Sequence, residues 1–254
     1  MDRIAAAALG DFPENTAKVI EIGPGRGALT EALLQGPANL TPANSTKVVA
    51  IEVDPILVQY LRQKFREQIE AGRLELIEAD VLKTDLAALA SPGRAVIAGN
   101  LPYYITSPIL ERVFASGDGW ERAVFLVQAE VAARLAAEPG SRDYGYLSVL
   151  TQVYARARIL FDVPRAAFRP APKVDSAVVL LEPRDSKVAW GVADRDGFLR
   201  FASECFRHKR KMLRNNLAPR YGRERMDALE QGRLRAEQLS VAELAELHRQ
   251  LGAA

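Results

Sequence analysis

A chain of 254 residues, 48% hydrophobic and 26% charged, can bury a stable core without disulfide or metal staples. Its one cysteine, Cys205, excludes an internal disulfide, its two histidines (His208 and His248) are too few and too far apart for a metal cluster, and no apolar run approaches the roughly 18 residues of a membrane helix, so neither metal nor membrane is expected. The net charge of +2 is unevenly placed: residues 1–194 hold 21 Lys and Arg against 24 Asp and Glu, whereas 195–254 hold 13 against 8, which points to a polyanionic partner for the C-terminal part unless those charges only solvate a helical surface.

The first nine residues carry an acid, a base and a short alanine run, which is neither the charged leader nor the apolar stretch of a secretory signal, so a cytoplasmic protein is expected. Short β-rich runs then alternate with helical stretches at 19–23, 48–54, 74–80, 95–100 and 123–128. Val48-Val49-Ala50-Ile51 is apolar on both faces, as in a central strand of a parallel sheet covered by helices on both sides. After a helix near 148–154, two more strands at 157–163 and 176–182 are joined by a proline-rich loop too short for a helical crossover, which favours an antiparallel pair. The fold class is therefore α/β: seven strands with the last reversed at the sheet edge, the pattern of a Rossmann-like class I methyltransferase rather than a dinucleotide-binding dehydrogenase. Past Asp185 the strand signals stop, and 196–217, 223–230 and 241–251 read as helices, the last opened by a capping box of Ser240 and Glu243. The organisation expected is an α/β domain over 1–185 and a small all-helical domain over 186–254.

Glu21-Ile22-Gly23-Pro24-Gly25-Arg26-Gly27 closes the first strand and opens a helix, and its alternate glycines let the backbone turn sharply and approach a ligand. Glu52 ends the second strand, where its carboxylate can accept from both ribose hydroxyls of an adenosine; Asp80 ends the third, where it can accept from an adenine amino group. Either acid could instead only cap a helix, but three consecutive strand ends carrying ligand-type residues argue for a site. Asn100-Leu101-Pro102-Tyr103 follows the fourth strand. The exocyclic nitrogen of adenine is a poor nucleophile because its lone pair is delocalised into the ring. The Asn100 side-chain oxygen and the Leu101 carbonyl can accept its two hydrogens, Tyr103 can stack on the extruded base, and Pro102 removes a competing donor and stiffens the turn.

With these motifs the chain resembles the KsgA-type ribosomal RNA adenine dimethyltransferases, and the likeness runs from Val19 to about Leu251. It rests on Glu21-Ile-Gly-Pro-Gly, Glu52 with Asp54, Asp80, Gly99-Asn-Leu-Pro-Tyr103, Gln128-Ala-Glu130, Tyr144-Gly-Tyr-Leu-Ser-Val149, Phe168-Arg-Pro-Ala-Pro-Lys-Val-Asp-Ser-Ala-Val178, the stretch 206–217 and Gln238-Leu-Ser240. The resemblance implies that Gly23, Gly25, Glu52, Asp80 and Asn100 bind S-adenosylmethionine, that Asn100 to Tyr103 form the catalytic turn, and that Phe168 is a second aromatic wall for the base. It implies dimethylation at N6 of two adjacent adenosines in a hairpin near the 3′ end of small-subunit rRNA, with the immature 30S subunit as partner and a monomeric enzyme. Members of the family usually carry a basic N-terminal arm that closes over the methionine end of the cofactor; residues 1–9 resemble the helix that follows that arm.

Arg207, Lys211 and Arg214 would fall on one face of a helix spanning 196–217, with Lys209 and Arg210 widening the stripe, so these five are the candidate phosphate contacts to RNA. Cys205, Phe206, Trp120 and Trp190 read as core residues, and His208 as a surface neighbour. The alternatives to this enzyme are a large-subunit rRNA adenine methyltransferase and a non-catalytic ribosome-assembly factor.

Overall fold

In the computed structural model the described residues are 1–10, 16–36, 47–184, 190, 192 and 194–252. Strands β1 (Thr16–Ile22), β2 (Lys47–Glu52), β3 (Leu74–Glu78), β4 (Arg94–Asn100), β5 (Trp120–Gln128), β6 (Ala155–Val163) and β7 (Ser176–Pro183) form one sheet in the order β3-β2-β1-β4-β5-β7-β6. β1 lies parallel to β2 and β4, β2 to β3, and β4 to β5, whereas β7 runs antiparallel to β5. The reversed strand is thus not at the edge: β7 sits between β5 and β6. Burial explains why. Residues 176–181 of β7 are all buried, as an interior strand requires, whereas β6 is largely exposed or half-buried and carries Arg156 and Arg158, which suit an edge.

Helices α1 (Asp2–Leu9), α2 (Ala28–Gln35), α3 (Pro55–Lys64), α4 (Arg66–Glu70), α5 (Leu86–Ala90), α6 (Thr106–Ala115) and α7 (Ala129–Leu135) accompany the strands. α1 buries Ile4, Ala5, Ala8 and Leu9 in a core with Val19, Val48, Val96, Val124 and Val178, one or more residues from each interior strand. Because the chain winds from β1 outward to β3 and then returns to β4 beside β1, the order of winding reverses between these two parallel strands. The carboxyl ends of strands at such a switch point frame the ligand crevice of open α/β sheets.

Packing divides the described chain into two compact units, Met1–Ala132 with Arg158–Pro183, and Ala133–Ala157 with Arg184–Ala254. Residues 133–157, which the sequence reading keeps with the α/β part, group with the C-terminal helices because α8 (Tyr146–Tyr154) packs on α9 (Arg195–Phe206) and α12 (Val241–Gly252). Phe198, Phe201, Cys205, Leu213, Leu244 and Leu247 are buried in this second unit, and Tyr144 meets the Phe206 ring edge-on at 5.9 Å. Ser240 and Glu243 form the expected capping box on α12, with the Ser240 amide donating to Glu243 Oε2 at 2.7 Å.

The continuous helix expected over 196–217 does not form. α9 ends at Phe206, residues 207–212 make an irregular turn, and α10 (Leu213–Tyr221) starts after it. Five consecutive cationic or imidazole side chains, Arg207 to Lys211, would crowd like charges into little more than one helical turn. The carbonyls freed where the helix stops find a donor in the buried side chain of Asn216, whose Nδ2 donates to Cys205 O at 2.7 Å and His208 O at 3.3 Å. Among the described residues no helix is long and apolar enough to cross a membrane.

Candidate active site

A cleft of about 810 Å³ in the α/β unit opens at the carboxyl ends of β1, β2, β3 and β4, and Gly23, Gly25, Glu52, Asp80, Asn100, Leu101, Pro102, Tyr103 and Phe168 all line it. The nine residues singled out for cofactor and catalysis thus share one cavity, whereas Arg207, Lys209, Arg210, Lys211 and Arg214 belong to the other unit.

The glycine turn is built by close packing on one side and open space on the other. Gly27 has φ 78°, and a Cβ there would meet the Phe65 ring at 2.5 Å and Leu61 at 2.9 Å, so only glycine lets α2 start so near α3. Gly23 and Gly25 also have positive φ, but among the described residues, chain neighbours apart, no atom lies within 4 Å of where a Cβ would stand, leaving space there for a ligand.

Glu52 is buried and receives three backbone amides: Gly25 N on Oε2 at 3.1 Å, and Val53 N and Asp54 N on Oε1 at 2.9 and 3.0 Å. The carboxylate therefore ties the glycine turn to the end of β2. With one amide on Oε2 and two on Oε1, Oε2 keeps one lone pair for a further donor, so a second ribose hydroxyl must share Oε1 or displace the Gly25 amide. Helix capping, the rival role considered for Glu52, falls to Asp54, which accepts from Ile56 N at 2.8 Å at the start of α3. Asp80 does cap a 3₁₀ turn, accepting from Leu82 N at 2.9 Å through Oδ1, which leaves Oδ2 with only a loose 4.0 Å pairing to Lys83. Capping and ligand binding are thus compatible at Asp80, one oxygen for each.

Glu21 lies beneath the turn, 1% exposed and lining the cleft, with no hydrogen-bond partner for Oε2 among the described residues. Burial pushes its carboxyl from the ordinary 4.5 up to about 7; nearby Thr30 opposes the rise and the charge of Glu52 adds to it. Within the sequence Glu21 is one alternating side chain of β1, and nothing local to it marks this burial.

The turn after β4 is fixed at several points. Gly99 lets β4 approach β1: a Cβ would stand 2.7 Å from Ile22 O. Leu101 N donates to Leu126 O at 3.1 Å, anchoring the turn to β5. The Pro102 carbonyl is used internally by Ile105 N at 3.1 Å and the Thr106 hydroxyl at 3.2 Å. The Tyr103 hydroxyl shares a 2.8 Å hydrogen bond with Ser176 Oγ, so the first residue of β7 holds the ring; sequence reading had no signal for this long-range pair. What remains without a donor among the described residues is the Leu101 carbonyl and the exposed Asn100 side chain, two acceptors at one strand end.

The residues fit S-adenosylmethionine. In strand order the cleft is lined by a half-free carboxylate at the end of β3, a buried carboxylate at the end of β2, an open glycine turn after β1 and the acceptors of the Asn100 turn after β4.

Comparison with known proteins agrees with this architecture. Residues 1–251 match the family described as ribosomal RNA adenine dimethylase. The chain is 41% identical over 231 residues to the ribosomal RNA small subunit methyltransferase A of Chlorobium chlorochromatii, covering 91% of this chain and 81% of that protein. It is 43% identical over 257 residues to the protein of the same name from Acidobacterium capsulatum, covering 98% and 86%. Among solved structures, a dimethyladenosine transferase from Plasmodium falciparum superposes with a TM-score of 0.76 at 23% identity, covering 99% and 96% of the two chains, a likeness of fold. The 23S rRNA methyltransferase ErmE superposes with a TM-score of 0.65 at 27% identity, covering 96% and 95%. By the extent of these matches the chain belongs to the ribosomal RNA adenine dimethylase family.

Proposed function

We propose that this protein uses S-adenosylmethionine to dimethylate the N6 of adenosine in small-subunit ribosomal RNA, acting on two adjacent adenosines of a hairpin near the 3′ end. The observation that carries the chemistry is the pair of acceptors at the end of β4, Asn100 and the Leu101 carbonyl, standing in the same cleft as the glycine turn, Glu52 and Asp80. When bound, the cofactor supplies an electrophilic methyl group on a sulfonium. The protein's part is to present the amine. Asn100 Oδ1 and Leu101 O accept the amino hydrogens and localise the nitrogen lone pair, while the Tyr103 ring, held by Ser176, stacks on the base and fixes its approach, with Phe168 as the opposing wall. The methylated ammonium is acidic enough to give its proton to water, so the scheme needs no general base. A second transfer starts from an amine that keeps one hydrogen for these acceptors, and it needs room beside the Asn100 turn for the first methyl group.

The small subunit is preferred to the large because the relatives at 41% and 43% identity bear small-subunit names, whereas the large-subunit enzyme stands at 27%. A monomer acting in the cytoplasm during ribosome assembly completes the reading, with the helical unit as an RNA-binding module. Incubation with unmethylated small subunits and labelled cofactor, followed by nucleoside analysis and mapping, tests it. Dimethyladenosine in small-subunit rRNA is the expected product; label confined to large-subunit RNA, or no transfer at all, would refute it.

A further inference from the structure

Two features on the rim of the cleft play no part in the methyl transfer derived above. Tyr104 follows Tyr103 on the 3₁₀ turn Tyr103–Ile105, lines the cleft, and is 86% exposed, the most exposed of the large hydrophobic side chains among the described residues. Its backbone is not loose: the turn around it is held through Leu101, Pro102 and Tyr103. Arg169 lines the same cleft from the loop 164–175 and is exposed, as are Arg165 and Lys173 on that loop, and none of the three has an acidic side-chain partner among the described residues. The carboxylate of Asp175, at the end of the loop, spends Oδ1 on the backbone amide of Arg165 at 2.8 Å.

A lone exposed tyrosine is ordinarily only a solvated ring. Here it neighbours, one residue along the chain, the aromatic ring assigned to the target base, and consecutive Cα atoms are about 3.8 Å apart. It also shares the cavity with Arg169, a cation that has no acidic side-chain partner among the described residues. An aromatic face and a guanidinium together are the means by which proteins hold unpaired nucleotides, the ring taking a base and the cation a phosphate. We propose that Tyr104 stacks on the nucleotide adjoining the target adenine while Arg169 binds the phosphate between them, so that the site grips a dinucleotide rather than a single base. The inference rests on the rRNA reading above and deepens it. With two neighbouring adenosines as substrate, the one not in the cleft occupies the rim, and the rim governs passage from the first to the second.

The test uses the full chain with unmethylated small subunits and S-adenosylmethionine, comparing Tyr104→Ala, Tyr104→Phe and Arg169→Gln with the parent. Tyr104→Ala is expected to raise KM for the subunit roughly tenfold, to leave cofactor affinity by calorimetry unchanged, and to leave products enriched in rRNA modified at only one of the two adenosines; Tyr104→Phe is expected to restore the parent behaviour. Arg169→Gln is expected to raise KM and flatten its salt dependence. An unchanged KM and product distribution in Tyr104→Ala would overturn the proposal, and so would a loss traced to weaker cofactor binding. If the parent itself transfers no methyl to small subunits, the substrate reading fails separately. The rim is then tested with a single-stranded oligoadenylate: parent affinity about tenfold above that of Tyr104→Ala upholds it, and equal affinities reject it.

Discussion

At Asn100 the side chain is exposed, has no partner among the described residues and stands beside the Leu101 carbonyl, so truncating it removes an acceptor without opening the core. Asn100→Ala should therefore leave the melting temperature and most of the RNA affinity intact while lowering kcat about a hundredfold, the loss associated with a contact that matters most in the transition state. Single-turnover kinetics at saturating RNA check this, and near-parent rates would remove Asn100 from the mechanism. Glu21 presents the opposite situation, a buried acid whose cost is visible in folding. Its carboxyl titrates at about 7 when folded against an ordinary 4.5, so the folded state binds the proton more tightly. Between those two values, stability must fall as pH rises, by about 3 kcal/mol at most, and stay level above them. Glu21→Gln keeps the shape and removes the ionisation; urea denaturation at pH 5 and pH 8 should show a steeper pH-dependent loss in the parent than in the variant, and parallel losses would contradict the assignment. Apart from Phe168, which the family resemblance supplies, the site residues legible in the sequence are those at strand ends, because a Gly turn or an Asn-x-Pro-Tyr turn is a local pattern. Ser176 behind Tyr103 and the unpaired oxygen of Glu21 were not legible, since each depends on partners brought together only by the sheet.

Between α9 and α10 the chain departs from its simplest reading, and Asn216 is the residue that makes the departure stable. Its Nδ2 serves the carbonyls of Cys205 and His208, one at the end of α9 and one inside the cationic turn. Asn216→Ala should cost about 2 kcal/mol, because it leaves those acceptors without their donor in a buried setting. Chemical denaturation measures that loss, and a cost below about 0.5 kcal/mol would mean the turn is held by other contacts. The same region shows what periodicity cannot resolve: 196–217 carries a helical pattern on both sides of the break, and the repulsion that splits it lies in residues that look ideal for a solvent-facing stripe. The sheet was far more readable. Apolar runs at β1, β2, β4 and β5 announced buried parallel strands, and the short loop before β7 announced its reversal. Its place inside the sheet rather than at the edge could have been read from the Arg156 and Arg158 of β6, which an interior strand would not tolerate.

Across the whole molecule, affinity for a polyanion rests on cations that are not already neutralised, and the helical unit sorts its own into two groups. Lys209 pairs with Glu237 at 3.8 Å and its ammonium also donates to the Arg142 carbonyl, while Arg214 pairs with Asp227 at 3.4 Å. Arg207, Arg210 and Lys211 are exposed on the turn and have no acidic partner among the described residues. Phosphate contacts release condensed counterions only where a cation is free to replace them, and each contributes about 0.7 to the slope of log affinity against log salt on single strands and about 0.9 on duplex. Replacing Arg207, Arg210 and Lys211 together with glutamine should therefore make the salt dependence of rRNA binding shallower by about 2, without loss of folding stability. Lys209→Gln with Arg214→Gln breaks two exposed ion pairs worth at most about 1 kcal/mol each and should shift the slope by less than 1. Filter binding of both variants to unmethylated small subunits across a salt series decides the matter. If the paired cations prove to carry the slope and the free ones do not, the ion pairs must open when RNA arrives, and the turn between α9 and α10 is not the surface that meets it.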